Sequence, residues 1–151
     1  MLAQEIMNTH VYKVKEDATI RKVIEAFLEY RISGLPVVNN KNEIVGYISD
    51  GDIMQYIGKH EDIIIDSIFH VDVVKGDDEG FEERLQSILE LNVMEMAKKH
   101  VVKISWDEEV EEVAAILGKK QIKKLPVEKN GVLVGIISRG DVIRHTFRRI
   151  L

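Results

Sequence analysis

A seven-residue stretch, Gly46-Tyr47-Ile48-Ser49-Asp50-Gly51-Asp52, returns near the end of the chain as Gly135-Ile136-Ile137-Ser138-Arg139-Gly140-Asp141. Both copies read Gly-x-Ile-Ser-x-Gly-Asp, and the agreement extends upstream. Glu5, His10, Val11, Lys13 and Asp17 align with Glu95, His100, Val101, Lys103 and Asp107 at an offset of 90. Val23, Ile32, Leu35, Pro36 and Val37 align in the same way with Val113, Ile122, Leu125, Pro126 and Val127, and the chain's only two prolines therefore coincide. The offset falls to 89 by Gly135, because Asn39-Asn40-Lys41-Asn42 shortens to Lys129-Asn130-Gly131. Both segments are polar turns, where a length change costs least. Internal repetition of this kind dictates one structural unit built twice. A unit of roughly 55 residues buries too little surface to be comfortable alone. Two copies packed face to face about a pseudo-twofold axis would each cover the other's exposed sheet.

Each copy reads as β-α-β-β-α with a helical lead-in. In the first, Leu2, Ile6 and Met7 suit one face of a short helix, and Val11–Val14 a strand. Asp17 or Thr19 can cap a helix whose Ile20, Val23, Ile24 and Phe27 form one stripe ending near Tyr30. Gly34 breaks the pattern. A strand at Leu35-Pro36-Val37-Val38, a hairpin partner over 43–48 and a helix from Asp50 to Ile57 follow. The second copy repeats this with a strand at Val101–Ile104, a helix carrying Val110, Val113, Ala114 and Leu117, strands at Leu125–Val127 and Val132–Ile137, and a helix from Gly140. Between them, Ile63-Ile64-Ile65 and Ile68-Phe69 are apolar enough to pack, residues 75–80 read as a mobile loop, and Phe81, Leu85, Ile88 and Leu89 as a helical stripe. The expected division is a first repeat over 1–58, a connector with a helix over 59–91 and a second repeat over 92–151.

Composition narrows the functions. The net charge of −5, with no long basic run, disfavours nonspecific nucleic-acid binding. The absence of cysteine excludes disulfides and thiolate metal sites. No apolar run approaches the roughly 20 residues of a membrane span, and Met1-Leu2-Ala3-Gln4-Glu5 lacks a signal-peptide pattern. A soluble, cytoplasmic protein is expected. No Ser/His/Asp or Cys/His nucleophile arrangement and no Walker-type loop is visible, so catalytic residues are not expected.

The repeated Ser-x-x-Asp has a structural reading, since it nearly matches the Ser-x-x-Glu capping box at a helix start. Three details point further. Asp is shorter than Glu and reaches back less well. Gly51 or Gly140 beside it permits close backbone approach by a ligand. A strand-to-helix junction also offers amide groups and a dipole that favour phosphate. A carboxylate there can accept from two ribose hydroxyls, and the two roles are compatible.

With the lead-in Glu5-Ile6-Met7, the Gly34-Leu35-Pro36-Val37-Val38 run, Lys124-Leu125-Pro126-Val127 and both Gly-x-Ile-Ser-x-Gly-Asp stretches, the sequence resembles a tandem pair of CBS domains. This regulatory unit, named after cystathionine β-synthase, is also called a Bateman module. The resemblance implies an α/β (α+β) fold of two β-α-β-β-α repeats about a pseudo-twofold axis, usually dimerised into a flat disc. It also implies an adenosine-containing ligand in the cleft between repeats: AMP, ADP or ATP ahead of S-adenosylmethionine, with no cofactor required. By the same resemblance Asp52 and Asp141 would hold ribose, with Ser49 and Ser138 beside them. Thr9 and His10, like Lys99 and His100, would border the base. Ile32, Gly34 and Pro36, like Ile122 and Pro126, belong to segments that close over it. The chain departs from the family at Asn8 and Lys98, where Thr is frequent, and at Ala97, where Met is.

The leading expectation is a stand-alone module that senses an adenine nucleotide and signals to an unidentified protein in trans, as a homodimer using Phe27, Leu28, Met54 and Tyr56. The alternative is a structural homodimerisation module with empty clefts. Charge distinguishes the copies, with Asp50 standing opposite Arg139 and Asn8-Thr9 opposite Lys98-Lys99. Gathered around one junction, Lys98, Lys99 and Arg139 would make the Ser138–Asp141 site the phosphate site. The Ser49–Asp52 site would stay empty or take a less charged adenosine derivative. Both clefts face a shared centre, so Arg139 could instead reach a ligand held by the first repeat. His10 and His100 lack partners at metal-ligand spacing and read as pocket wall or strand end. Trp106 reads as packing and Asp77-Asp78-Glu79 as a solvated turn.

Overall fold

A computed structural model describes residues 1–59, 63–66, 71–74, 80–119 and 122–151. Ile68-Phe69 and all but Gly80 of the expected 75–80 loop lie outside the described residues. The first repeat is a three-stranded sheet, β1 (Val14–Lys15), β2 (Gly34–Val38) and β3 (Ile44–Ser49), with β2 central. Strand β1 runs parallel to β2 and β3 antiparallel to it. Helix α2 (Ile20–Tyr30) starts at Thr19, whose side chain accepts from Lys22 N, and stops at Arg31 in the left-handed region. Helix α3 (Asp50–Ile57) leaves β3 directly. The second repeat reproduces each part: β6 (Ile104–Ser105), α5 (Val110–Lys119), β7 (Lys124–Lys129), β8 (Val132–Ser138) and α6 (Arg139–Phe147). Even the bulges match, falling between Val37 and Val38 and between Val127 and Glu128.

The fold is mixed α+β, as expected, with two differences in the strands. Strands β1 and β6 begin only at Val14 and Ile104, because Val11 and Val101 leave their sheets to pack with Val38, Ile44 and Leu133 between the repeats. The prolines lie inside β2 and β7 rather than at their starts. They are tolerated because β1 and β6 pair only from Val37 and Val127 onward, so no ladder partner faces the missing N–H.

The lead-ins are exchanged. Helix α1 (Ala3–Ile6) docks on the second repeat: Ala3 N donates to Glu108 O at 2.8 Å, Gln4 N to Trp106 O at 2.8 Å and Val110 N to Met1 O at 2.9 Å. Ala3 and Ile6 are buried in the second core with Val113, Leu125 and Ile137. Conversely, Ile20 N donates to Leu91 O and Val93 N to Ala18 O, and Val93 is buried in the first core. Asn8 and Ile136 exchange two backbone hydrogen bonds, and Tyr47 and Lys98 do the same. Glycine opens both repeated motifs because the lead-in crosses directly above it. A Cβ on Gly135 would stand 2.5 Å from Met7 Sδ, and one on Gly46 3.2 Å from Lys98 O.

Between the repeats the expected helical stripe is present, preceded by two strands that the sequence did not announce. Residues 63–66 and 71–74 form an antiparallel pair of strands, β4 (Ile63–Asp66) and β5 (Val71–Val74), ahead of α4 (Phe81–Ile88). Helix α4 packs beside α3, and its buried Arg84 donates to Ile57 O at 3.1 Å. Of the apolar residues expected on an outer face, Leu28, Met54 and Tyr56 are exposed, whereas Phe27 packs against the first core.

Candidate functional site

The local geometry at the two Ser-x-x-Asp junctions is nearly identical. Asp52 Oδ2 accepts from Ser49 N at 2.9 Å and Ser49 Oγ at 3.1 Å. Asp141 Oδ2 accepts from Ser138 N at 2.8 Å and Ser138 Oγ at 2.9 Å. Asp is therefore long enough to close a capping box, contrary to the expectation that it would reach back poorly. In each case one carboxylate oxygen, Oδ1, is left over for other partners.

Those partners differ. Asp52 Oδ1 lies 3.8 Å from Lys98 Nζ, with the Asp52 side chain 7% exposed and that of Lys98 69% exposed. Asp141 Oδ1 accepts from Arg144 Nη2 at 2.7 Å, within its own helix. Burial alone would raise the Asp141 pKa. The Ser138 N–H, the Ser138 hydroxyl and Arg144 outweigh it and hold the carboxyl below the usual range.

A cavity of about 390 Å³ opens at the first junction. The first repeat contributes Ser33, Gly34, Tyr47, Ser49, Asp50 and Gly51; the second contributes Lys98, His100, Val101, Val102, Ile122, Lys123, Lys124 and Pro126. One wall thus carries Ser49, Asp50 and Gly51, and the other is built from three lysines and a histidine beside apolar residues. Tyr47 stands between them. Burial first, and then the Asp50 and Asp52 carboxylates, push its phenol up to about 12, so it is a neutral hydrogen-bonding group at ordinary pH.

The expected gathering of Lys98, Lys99 and Arg139 around Ser138 does not occur. Lys98 is fixed opposite the first junction by its backbone pairing with Tyr47. Arg139 points away from the cleft, where its Nη2 donates to Leu117 O at 3.0 Å near the end of α5. The packing of the repeats is the cause, since it sets each junction against the lead-in and second strand of the other copy. The cavity accordingly joins Ser49 and Gly34 to His100, Ile122 and Pro126, and Asp52 flanks it through Lys98. Lys99, Thr9, His10, Ile32, Pro36, Ser138, Arg139 and Asp141 do not line it. The His10 ring meets the Tyr12 edge with centroids 5.0 Å apart, and Tyr12 stacks on Tyr30 at 4.0 Å. Among the described residues no group of three His, Cys, Asp or Glu could hold a metal ion. Tyr47 and Lys123 were not singled out from sequence. The signal for Lys123 was the basic Lys123-Lys124 pair inside the segment expected to close over a ligand.

The CBS domain matches this chain twice, over residues 3–59 and 93–147. The chain belongs to the CBS-domain family. The uncharacterized protein MJ1426 of Methanocaldococcus jannaschii is 33% identical over 151 residues, spanning 95% of this CBS pair and 89% of that protein. Among solved structures, CBSX2 in complex with AMP superposes with a TM-score of 0.74 at 20% identity, covering 99% of this chain and 98% of that one; CBSX2 comes from Arabidopsis thaliana. MJ1225 of Methanocaldococcus jannaschii, described as a candidate archaeal homologue of g-AMPK, superposes with a TM-score of 0.77 at 24% identity. This CBS pair spans about half of that chain, 51%, and MJ1225 covers 99% of this one. Among the described residues, no helix is long and apolar enough to cross a membrane.

Proposed function

We propose that this CBS pair is a regulatory module that takes an adenine nucleotide of the AMP, ADP or ATP class in the cleft at Ser49–Asp52. The observation that carries the reading is the division of labour across that cleft. Ser49 and Gly51 line one side, with the Asp52 carboxylate flanking them beside Lys98 as the group for a ribose, while Lys98, Lys123 and Lys124 line the cleft from the other repeat. The volume of about 390 Å³ falls in the range of small-ligand sites. Phosphate is the group such a wall recognises; each ammonium contributes up to roughly 4 kcal/mol of partly screened attraction at 4 Å. S-Adenosylmethionine, with its sulfonium, suits it less. The AMP bound to CBSX2, a protein of the same fold, supports an adenosine ligand.

In this reading the ligand bridges the two repeats and requires no cofactor, and no chemistry is performed. The output is a change of shape passed to a protein partner by a cytoplasmic homodimer, through helix faces that expose Leu28 and Met54, 75% and 59% accessible. Those same faces favour the second reading, a structural dimerisation module. A thermal-shift series with AMP, ADP, ATP, S-adenosylmethionine and NADH separates the two. The nucleotide reading expects a melting temperature rising with log ligand concentration, and a loss of roughly 10- to 100-fold in affinity for Asp52→Ala or Lys98→Ala. A flat response to all five, together with a dimer in sedimentation, supports the structural module instead.

A further inference from the structure

The two junctions carry the same Ser-x-Gly-Asp chemistry, yet only at the second is the spare carboxylate oxygen held in a short, charge-assisted hydrogen bond. At Asp52 the nearest cation is Lys98 Nζ, whose 3.8 Å separation from Oδ1 exceeds hydrogen-bond length. That amine is largely exposed and comes from the other repeat, so it can swing aside. At Asp141 the Oδ1 position is filled by the Arg144 guanidinium at 2.7 Å, a charge-assisted bond about twice as strong as a neutral hydroxyl would make. Arg144 sits three residues along the same helix, so no movement of the repeats separates the pair. The same guanidinium covers the backbone at Gly140, where a Cβ would stand 2.9 Å from Nη1. At Gly51 the corresponding space is open as far as Ser49 Oγ, 3.7 Å away. One side chain therefore takes both features a ribose would use: a free carboxylate oxygen and close access to a glycine backbone. The aligned position in the first repeat holds Gln55, which carries no charge.

We propose that Arg144 is an internal plug that keeps the second junction shut, so that the chain takes one nucleotide at Asp52, none at Asp141, and gains a second site when the guanidinium is removed. The proposal rests on the nucleotide reading of the Ser-x-Gly-Asp junction, but its test reads the other copy. Calorimetric titration of the full chain with AMP gives the stoichiometry of the wild type, Arg144→Gln, Arg144→Ala and the double variant Arg144→Gln/Asp141→Ala. The expected equivalents per chain are one, two, two and one. Arg144 is 58% exposed at its side chain, and its replacement leaves the core untouched. The proposal is overturned if neither Arg144 variant binds more AMP than the wild type, whatever the wild-type number. It is also overturned if the gained equivalent survives Asp141→Ala, or if the wild type already binds two. If the wild type binds none and Arg144→Gln binds one that Asp141→Ala removes, the plug stands and the assignment to the first cleft falls.

Discussion

Met7 lies across Gly135, and the contact is too close to admit even a methyl group, with Sδ 2.5 Å and Cβ 3.0 Å from where a Cβ would be. Gly135→Ala should therefore cost about 1–3 kcal/mol by overpacking, and Met7→Ala in the same chain should recover part of it. Gly51→Ala, which meets only Ser49 Oγ at 3.7 Å, should stay within about 0.5 kcal/mol of wild type or gain slightly from helix propensity. Urea midpoints for the three variants check the ranking. Two ionisable groups add a pH dependence. The Asp141 carboxyl titrates below its ordinary value in the folded chain, so its contribution is present above that ordinary pKa and is lost as pH falls through the lowered one. Arg144→Gln should flatten this acid limb. Tyr47 titrates near 12 instead of 10.0, so its contribution is complete below pH 10 and disappears as pH rises towards 12. Stability measured across that window should slope less in Tyr47→Phe; an unchanged slope would assign it to other groups.

At the scale of the element, α1 is short and would have no stability in isolation, yet it completes the core of the repeat at the other end of the chain. Ile6 is only 3% exposed, and Ile6→Ala should cost about 2–5 kcal/mol. The single tryptophan, Trp106, packs on that same second core. Its fluorescence and the far-ultraviolet circular dichroism should lose structure in one coincident transition, because the exchanged lead-ins tie each core to both repeats; two separated transitions would contradict this. The apolar stripes of α2 and α5 were legible in sequence, since burial on one face imprints its period directly, and β3 and β8 were legible as apolar runs beside polar turns, although their alternating burial was not. The β4–β5 pair was not. Ile63-Ile64-Ile65 signals packing without a period, and the offset alignment says nothing about a segment that has no counterpart.

For the whole molecule, duplication was written plainly in the chain, but its consequence for the cleft was not. An alignment places Lys98 beside Asn8 and Arg139 beside Asp50, as equivalents. The pseudo-twofold packing instead sets Lys98 against Tyr47 and Asp52, so charges that look clustered along one copy are shared out across two. Ionic strength offers a check at this scale. Lysines facing a bound phosphate across an open cleft are screened by salt, so AMP affinity should fall steadily from 0.05 to 0.5 M NaCl if they contribute, and stay level if they do not. The exchanged lead-ins also constrain how the protein comes into being. Asn8 pairs with Ile136, a partner synthesised 128 residues later (136 − 8 = 128). At about 5–20 residues per second, Ala3 and Ile6 remain unclaimed for on the order of ten seconds, exposing apolar side chains until the last strand arrives. A nascent chain stalled before β8 would hold that segment open to proteolysis and to chaperones that bind exposed apolar side chains, and synthesis past α6 would close it.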